Sequence, residues 1–291
     1  MIDLHTHSTA SDGSCTPERL IELAVAAGVH ALALTDHDTL DGVLAARKRS
    51  ANTGLHFFAG VEIEIDRDAA VQSTTRSHPS QSTGEFHLLG LGLSDQREEL
   101  EEALERLREA RHARNVRMVE KLQRGGIPVT LDELNEIAGG KIVSRSHFAR
   151  LFVQKKVVGS INAAFSRLIG KGQTYYEPRT CLTLEDATRL IHRAGGIAVV
   201  AHPVSLDLKG PALRQFLASC KDQRVDGLEA WHPNHQLSEC RQYQRLAASL
   251  SLLVTGGSDF HGEHMPQRKL GVAAAGRVIP DELLASLPLQ Q

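Results

Sequence analysis

The chain has 291 residues, with 33 Lys and Arg against 35 Asp and Glu, a formal charge of −2. That length buries a large core, either as one barrel-sized domain or as a domain with an insertion, and the near balance of charge argues against bulk electrostatic capture of nucleic acid while leaving room for a local basic surface. No apolar run is long enough to span a bilayer, and residues 1–7 carry polar groups where a signal peptide needs a basic start and an apolar stretch, so a soluble, cytoplasmic protein is expected. The four cysteines, Cys15, Cys181, Cys220 and Cys240, have no C-x-x-C spacing and support neither a zinc ribbon nor a disulfide framework.

In chain order, the first ninety residues alternate short apolar runs with helix-like stretches: MIDLHTH, TPERLIELAVAAG, HALALTDHD, LDGVLAARKRSANTG, HFFAGVEIEI and EFHLLGLGL. Strand, helix, strand repetition of this kind signals an α/β fold with a parallel sheet and crossover helices. Thr16 suits a helix cap, Pro17 the first turn and Gly28 the C-terminal end. The stretch from Ile65 to Glu85, rich in Ser and Thr and without a period, predicts an exposed loop in which His78 is solvated.

From Glu98 the pattern changes, and no strand is readable until Ile197. The segment reads as four or more helices, the first from about Glu98 to Arg124 with Leu100, Leu104, Leu107, Met118 and Leu122 on one stripe. Alternation resumes with LTLEDATRLIHRAG, GIAVVAHP, DGLEAWHP and LLVTGGSDFH. The expected organisation is a barrel in two segments, 1–97 and 181–291, with an all-helical subdomain, 98–180, inserted between the fourth and fifth strands.

The first strand ends in a His-x-His pair, His5 and His7. With 15 histidines in the chain, about one such pair arises by chance, so the pair alone decides nothing. Its neighbours decide more. Each of the seven expected strands carries a histidine or carboxylate near its end: His5 and His7 running into Asp12; Asp36, His37 and Asp38; Glu62; His87; His202; His232; and Asp259 with His261. In parallel α/β barrels the C-terminal ends of all strands converge on one mouth, so residues far apart in sequence become neighbours. His5, His7, Asp12, His37, Glu62, His87, His202, Asp259 and His261 are therefore the candidate metal ligands. Mixed imidazole and carboxylate donors suit zinc, manganese or iron, and nine are more than one ion needs, so two or three divalent ions are expected. His30, His56, His112, His192 and His264 fall elsewhere and are read as solvated or locally bonded.

The ordered set HTHS with Asp12, TDHD, GVEIE, FHLLGLG, VAHP and GSDFH resembles that of the PHP (polymerase and histidinol phosphatase) metal-dependent phosphoesterases. The resemblance covers both barrel segments. With the helical insertion, it is to the branch of 3′,5′-nucleoside bisphosphate phosphatases and the related RNase AM, which trims RNA and short oligonucleotides from the 5′ end. It implies a distorted seven-stranded barrel with three ions, commonly manganese, at its mouth. His5, His7, Glu62 and Asp259 would hold one; Asp12, His37 and His261 a second; Glu62, His87 and His202 a third, with Glu62 bridging. The long Ser/Thr-rich stretch before Glu85 departs from the family's compact hairpin and makes the spacing to His87 unusual.

Such a centre needs no serine or cysteine nucleophile. Water bound to divalent ions ionises near neutral pH and attacks phosphorus in line, while the ions neutralise the non-bridging oxygens. Asp36 and Asp38 are expected to orient imidazoles or cap helices, and His232, with His235, is a candidate to hold phosphate or protonate the leaving oxygen.

The insertion is the basic part: 15 Lys and Arg against 11 Asp and Glu, leaving 18 against 24 on the remainder. On a helical wheel Arg114, Arg117 and Lys121 adjoin the apolar stripe of the first helix, and Ser144, Arg145 and His147 fall at a helix start, a natural anion site. These six, with Asp12, are the expected substrate contacts, in an insertion that roofs the mouth and holds a nucleotide's other phosphate. The expected activity is removal of the 3′-phosphate from 3′,5′-bisphosphonucleosides and 5′-end trimming of short RNA or DNA, with no obligate protein partner. Two alternatives stand beside it, a histidinol-phosphatase-like enzyme and a non-catalytic metal-containing nucleotide-binding protein.

Overall fold

The computed structural model describes residues 1–66, 84–139 and 142–289. The expected Ser/Thr-rich loop, with His78, lies outside the described residues except at its ends. Seven strands form one sheet in sequence order, β1 (Ile2–Thr6), β2 (Ala31–Leu34), β3 (His56–Glu64), β4 (His87–Leu91), β5 (Ile197–Val200), β6 (Gly227–Trp231) and β7 (Leu253–Gly256). The chain divides into two compact units, Met1–Glu102 with Cys181–Gln291, and Ala103–Thr180.

Helices α1 (Pro17–Ala26) and α2 (Val43–Ser50) follow β1 and β2. Thr16 caps α1 by accepting the Arg19 N–H at 3.2 Å, Pro17 takes the first turn, and Gly28 leaves the helix at φ +78. Leu20, Ile21 and Ala24 of α1 bury against Leu32 and Leu34 of β2. A second apolar cluster joins Ile2, Leu4, Ala31, Ala33, Phe58, Leu89, Leu91 and Val199 from five strands. Because side chains alternate along a strand, Phe58 and Glu62 share one face of β3, and Leu89, Leu91 and His87 share one face of β4.

The expected all-parallel sheet needs one correction. β4 runs antiparallel to both β3 and β5, while the remaining pairs are parallel. A parallel return requires a crossover, usually helical, and the stretch between Ile65 and Glu85 has no helical period in sequence. The reversal puts the beginning of β4, and so His87, beside the end of β3, with Glu64 opposite His87.

The barrel closes where the segment after β7 meets β1. The Asp259 N–H donates to the His5 carbonyl at 2.8 Å and the His7 N–H to the Phe260 carbonyl at 2.9 Å. Gly257 permits that approach, since a Cβ there would meet the Cβ of His5 and lie 2.6 Å from its main-chain N. Gly257→Ala is expected to destabilise the protein by about 1–3 kcal/mol in chemical denaturation, the cost of an overpacked seam. A wild-type midpoint would show that the seam has slack.

In the second unit, α3 (Glu98–Arg124) enters from the first, and α4 (Leu131–Ala138), α5 (Arg145–Gln154) and α6 (Ile161–Ala164), which runs into a π turn at Phe165–Ile169, follow. The stripe Leu100, Leu104, Leu107, Met118 and Leu122 is buried as its spacing requires. Met118 and Leu122 pack with Leu134, Phe148, Phe152 and Ile169. Thr130 and Glu133 cap α4 reciprocally, and Gly139 ends it at φ +60. The first unit continues with α7 (Leu184–Arg193), α8 (Gly210–Asp222), α9 (Leu237–Ser249) and the short α10 (Glu282–Ala285). No helix among the described residues is long and apolar enough to cross a membrane.

Candidate metal centre

Two local distortions aim side chains at the mouth. The β1–β2 register shifts between Asp3 and Thr6, where bulges typically re-aim a side chain, and His5 lies in that shift. Three residues at the mouth adopt left-handed backbone: Asp38 (φ 52), His202 (φ 24) and Asp259 (φ 50). For non-glycine residues this costs of order 1–3 kcal/mol each, and such strain concentrates at functional sites.

Five imidazoles converge on Glu62. Its Oε2 lies 3.2 Å from His5 Nε2, His7 Nε2 and His37 Nδ1, and its Oε1 lies 2.7 Å from His87 Nδ1 and 2.9 Å from His202 Nε2. Asp259 Oδ1 faces His7 Nε2 at 3.2 Å, His261 Nδ1 at 3.4 Å and His5 Nε2 at 3.6 Å. Asp12 Oδ1 faces His261 Nε2 at 3.3 Å, with His7 and His37 each at 4.0 Å. Three donor groups result, each with ligand atoms within 4.8 Å of one another: His7, Asp12, His37 and His261; His5, His7, Glu62 and Asp259; and His37, Glu62 and His87. The second has the composition that the resemblance implies for one ion. The first adds His7 to its expected trio, and the third has His37 where His202 is expected, although His202 still reaches Glu62.

These side chains fit divalent cations. Both ring nitrogens of fully buried His7 lack a hydrogen-bond partner, although Nε2 faces two carboxylate oxygens at close range. Imidazole nitrogens and carboxylate oxygens meeting at common points are a coordinating donor set.

Burial opposes charge on His7, but Asp259 and Glu62 outweigh it and push the imidazole up to about 10. Burial likewise opposes charge on His87, and Glu62 raises it to about 9. At His37 burial wins and the value falls to about 4. Asp12, Glu62 and Asp259 sit well below the usual carboxylate range: burial would raise them, but the surrounding imidazoles, joined by Arg268 at Asp259, together outweigh it. Protons and metal ions compete for the same nitrogens.

Sequence reading missed two residues. Glu229, fully buried on β6, bonds His5 Nδ1 at 3.0 Å and accepts the His202 N–H at 2.6 Å. Its signal was an acid inside the apolar strand DGLEAW. Arg268 donates to the Asp259 carbonyl at 2.8 Å and pairs with its Oδ2; no motif marks it.

Other expected residues make local contacts. His232 has no exposure, its Nδ1 accepts the Asn234 N–H and its Nε2 faces Asp259 Oδ2 at 3.2 Å. Burial holds it down at about 4, and as a neutral ring with Nδ1 accepting it carries its proton on Nε2, toward Asp259. His235 is buried with Nδ1 on the Ala230 carbonyl. Asp36 neither orients an imidazole nor caps a helix. It holds the loop after β1 through Ser8 N, Ser8 Oγ and Ser11 Oγ at 2.6–2.7 Å. Of the other histidines, His30 faces Asp281, His192 faces Asp226, and His264 bonds the Asp12 carbonyl at 3.0 Å.

In the helical unit, Ser144 is the cap of α5, and its N–H donates to Nδ1 of buried His147 at 2.9 Å. His147 thus belongs to the helix start itself. Lys121 bonds Glu177 at 3.0 Å and the Tyr176 carbonyl, and Arg117 faces the same Glu177 at 3.8 Å, so the chain supplies both with a negative partner. Arg114 is buried with Nη1 on Met118 Sδ at 3.5 Å, and the Arg145 guanidinium lies 5.6 Å from the centre of the Tyr176 ring.

An α/β barrel with three imidazole–carboxylate donor groups at one mouth is the architecture of a metal-dependent hydrolase, and comparison with known proteins identifies a phosphoesterase. The PHP domain model matches residues 3–251, and the chain belongs to the PHP domain family. It is similar to the 5′-3′ exoribonuclease Rnm of Salmonella typhimurium, 34% identical over 261 residues, covering 89% of this chain and 84% of the relative. It is also similar to the 3′,5′-nucleoside bisphosphate phosphatase of Chromobacterium violaceum, 31% identical over 271 residues, covering 93% and 90%. A solved structure named a metal-dependent phosphoesterase, from Bifidobacterium adolescentis, superposes with TM-score 0.80 at 29% identity, covering 98% of this chain and 94% of that one.

Proposed function

We propose that this phosphoesterase removes the 3′-phosphate of 3′,5′-bisphosphonucleosides and trims nucleotides from the 5′ end of short RNA or DNA, in the cytoplasm and with manganese ions. The observation that carries the reading is the set of donor groups sharing His7, His37 and Glu62 at the barrel mouth. The activities of the Rnm and bisphosphate phosphatase relatives supply the substrate class.

When bound, the cations would supply charge neutralisation for phosphate oxygens and a water acidic enough to ionise near neutral pH. His5, His7, Glu62 and Asp259 would hold one ion, Asp12, His37 and His261 a second, and Glu62, His87 and His202 a third. Around them the chain does the positioning. Arg268 and His232 occupy Oδ2 of Asp259 and leave Oδ1 to face the centre. Asp36 fixes the loop that carries Asp12. Substrate contacts in the helical unit would be led by Arg145, whose planar fork suits phosphate oxygens, with Arg117 and Lys121 as further cations and the buried Ser144, His147 and Arg114 acting through the helix packing, and Asp12 would meet the scissile group.

The test measures phosphate or nucleotide release with Mn²⁺ from adenosine 3′,5′-bisphosphate, a 5′-phosphorylated oligonucleotide and histidinol phosphate, each with a chelator control. Release from the first two and not the third is expected, and Arg145→Ala should raise KM for the bisphosphate about tenfold, the loss of one charged hydrogen bond. Release only from histidinol phosphate, or none above the chelator control, would reject the substrate class. An unchanged KM would remove Arg145 from the site.

A further inference from the structure

Behind the donor groups one carboxylate serves two ligands at once. Glu229 has no exposure. Its Oε1 lies 3.0 Å from His5 Nδ1, and its Oε2 accepts the main-chain N–H of His202 at 2.6 Å. His5 points its opposite nitrogen, Nε2, at Glu62 Oε2 at 3.2 Å, while His202, its Nδ1 on Ser205 Oγ at 2.8 Å, points Nε2 at Glu62 Oε1 at 2.9 Å. A rear carboxylate thus backs one imidazole directly and the other through its main chain, and both rings meet one front carboxylate.

Each half of the rear contact has a physical job. An ionised carboxylate only accepts, so the proton on neutral His5 must sit on Nδ1, leaving the Nε2 lone pair toward the centre. The other half acts on the main chain. His202 stands at φ 24, ψ 67, a conformation that L-residues rarely hold. A charged acceptor on its N–H fixes that turn and the direction in which its side chain leaves the strand. The β6–β7 register also shifts between Glu229 and Trp231, as the β1–β2 register shifts at His5, so both partners of the contact sit at irregularities of the barrel.

We propose that Glu229 is a positioning residue for the metal centre, setting the tautomer of His5 and the turn at His202 and thereby raising the affinity of the group formed by His5, His7, Glu62 and Asp259. The inference rests on the metal-centre reading above. Glu229→Gln is the informative variant, because it keeps volume and can still accept from His202 while its amide presents a donor to His5 Nδ1. That donor favours the tautomer with the proton on Nε2, which cannot ligate.

Titration calorimetry with Mn²⁺ should show Glu229→Gln binding about 10- to 100-fold more weakly than wild type, the range for partners that orient metal-bound histidines. In Zn²⁺-loaded wild type, long-range ¹⁵N–¹H spectra should place the His5 proton on Nδ1. If Glu229→Gln does not fold, Glu229→Asp, which keeps the charge but withdraws the carboxylate from His5 Nδ1, takes its place in the calorimetry with a loss in the same range expected. Unchanged Mn²⁺ affinity in a folded variant, or a His5 proton on Nε2 in wild type, overturns the inference while leaving the centre standing. Wild type that takes up no Mn²⁺ overturns the centre and this inference with it.

Discussion

Glu62→Gln is expected to lower turnover by about 10³-fold, comparable to removing a principal electrostatic group from an active site, and to reduce the metal content of the purified protein. The reasoning is geometric. Glu62 belongs to two of the three donor groups, and its two oxygens face five imidazoles between them. Glutamine preserves packing on β3 but replaces one anionic oxygen with an amide nitrogen that has no lone pair to offer. Elemental analysis and phosphate release should therefore fall together. A variant with full metal content and wild-type turnover would show that Glu62 only fills space.

The second large effect concerns pH. His7, raised to about 10, and His87, raised to about 9, stand above their ordinary value of 6.5 in the folded chain without metal. Groups raised in this sense stabilise the fold fully below 6.5, and that contribution fades as pH climbs through their folded values. Each proton involved is worth about 1.4 kcal/mol per pH unit across its window. Metal binding has the opposite slope because it requires deprotonated nitrogens. His37 and His232, lowered to about 4, titrate below this window and do not enter it. Chelator-treated protein should lose thermal stability from pH 6.5 to 9, while the gain in Tm on adding Mn²⁺ should widen over the same range. A metal-induced gain that stays flat or shrinks would contradict the assignment of protonated His7 and His87 to the metal-free state.

Much of this centre was legible because strand ends are marked twice, by an apolar run and by the polar residue that ends it. HALALTDHD and LLVTGGSDFH each announce a strand and deliver a side chain to the mouth, and the helical stripe from Leu100 to Leu122 is plain from its spacing. The direction of β4 was not legible in that way. FHLLGLG reads identically for a parallel and an antiparallel strand, and only the want of a helical crossover before it hinted at the reversal that brings His87 to Glu62. Supporting residues are harder still. Glu229 has one local clue, a carboxylate in an apolar strand, whereas Arg268 meets Asp259 through a turn that no pattern encodes. His232 shows the limit of the same signal: a strand end marks it as a candidate, and only the fold shows that it is buried with both nitrogens engaged, one of them on Asp259.

One feature of the donor set reaches beyond contact distance. Among the nine proposed ligands six are imidazoles, which carry no charge when they coordinate, and three are carboxylates, of which Asp259 is already matched by Arg268. Two divalent cations bring four positive charges and three bring six, more than those carboxylates cancel. A loaded mouth would therefore keep a cationic surplus, which low-dielectric walls focus outward onto an approaching phosphate dianion. For a polypeptide of net charge −2, attraction for an anionic substrate would then be a property acquired with its ions.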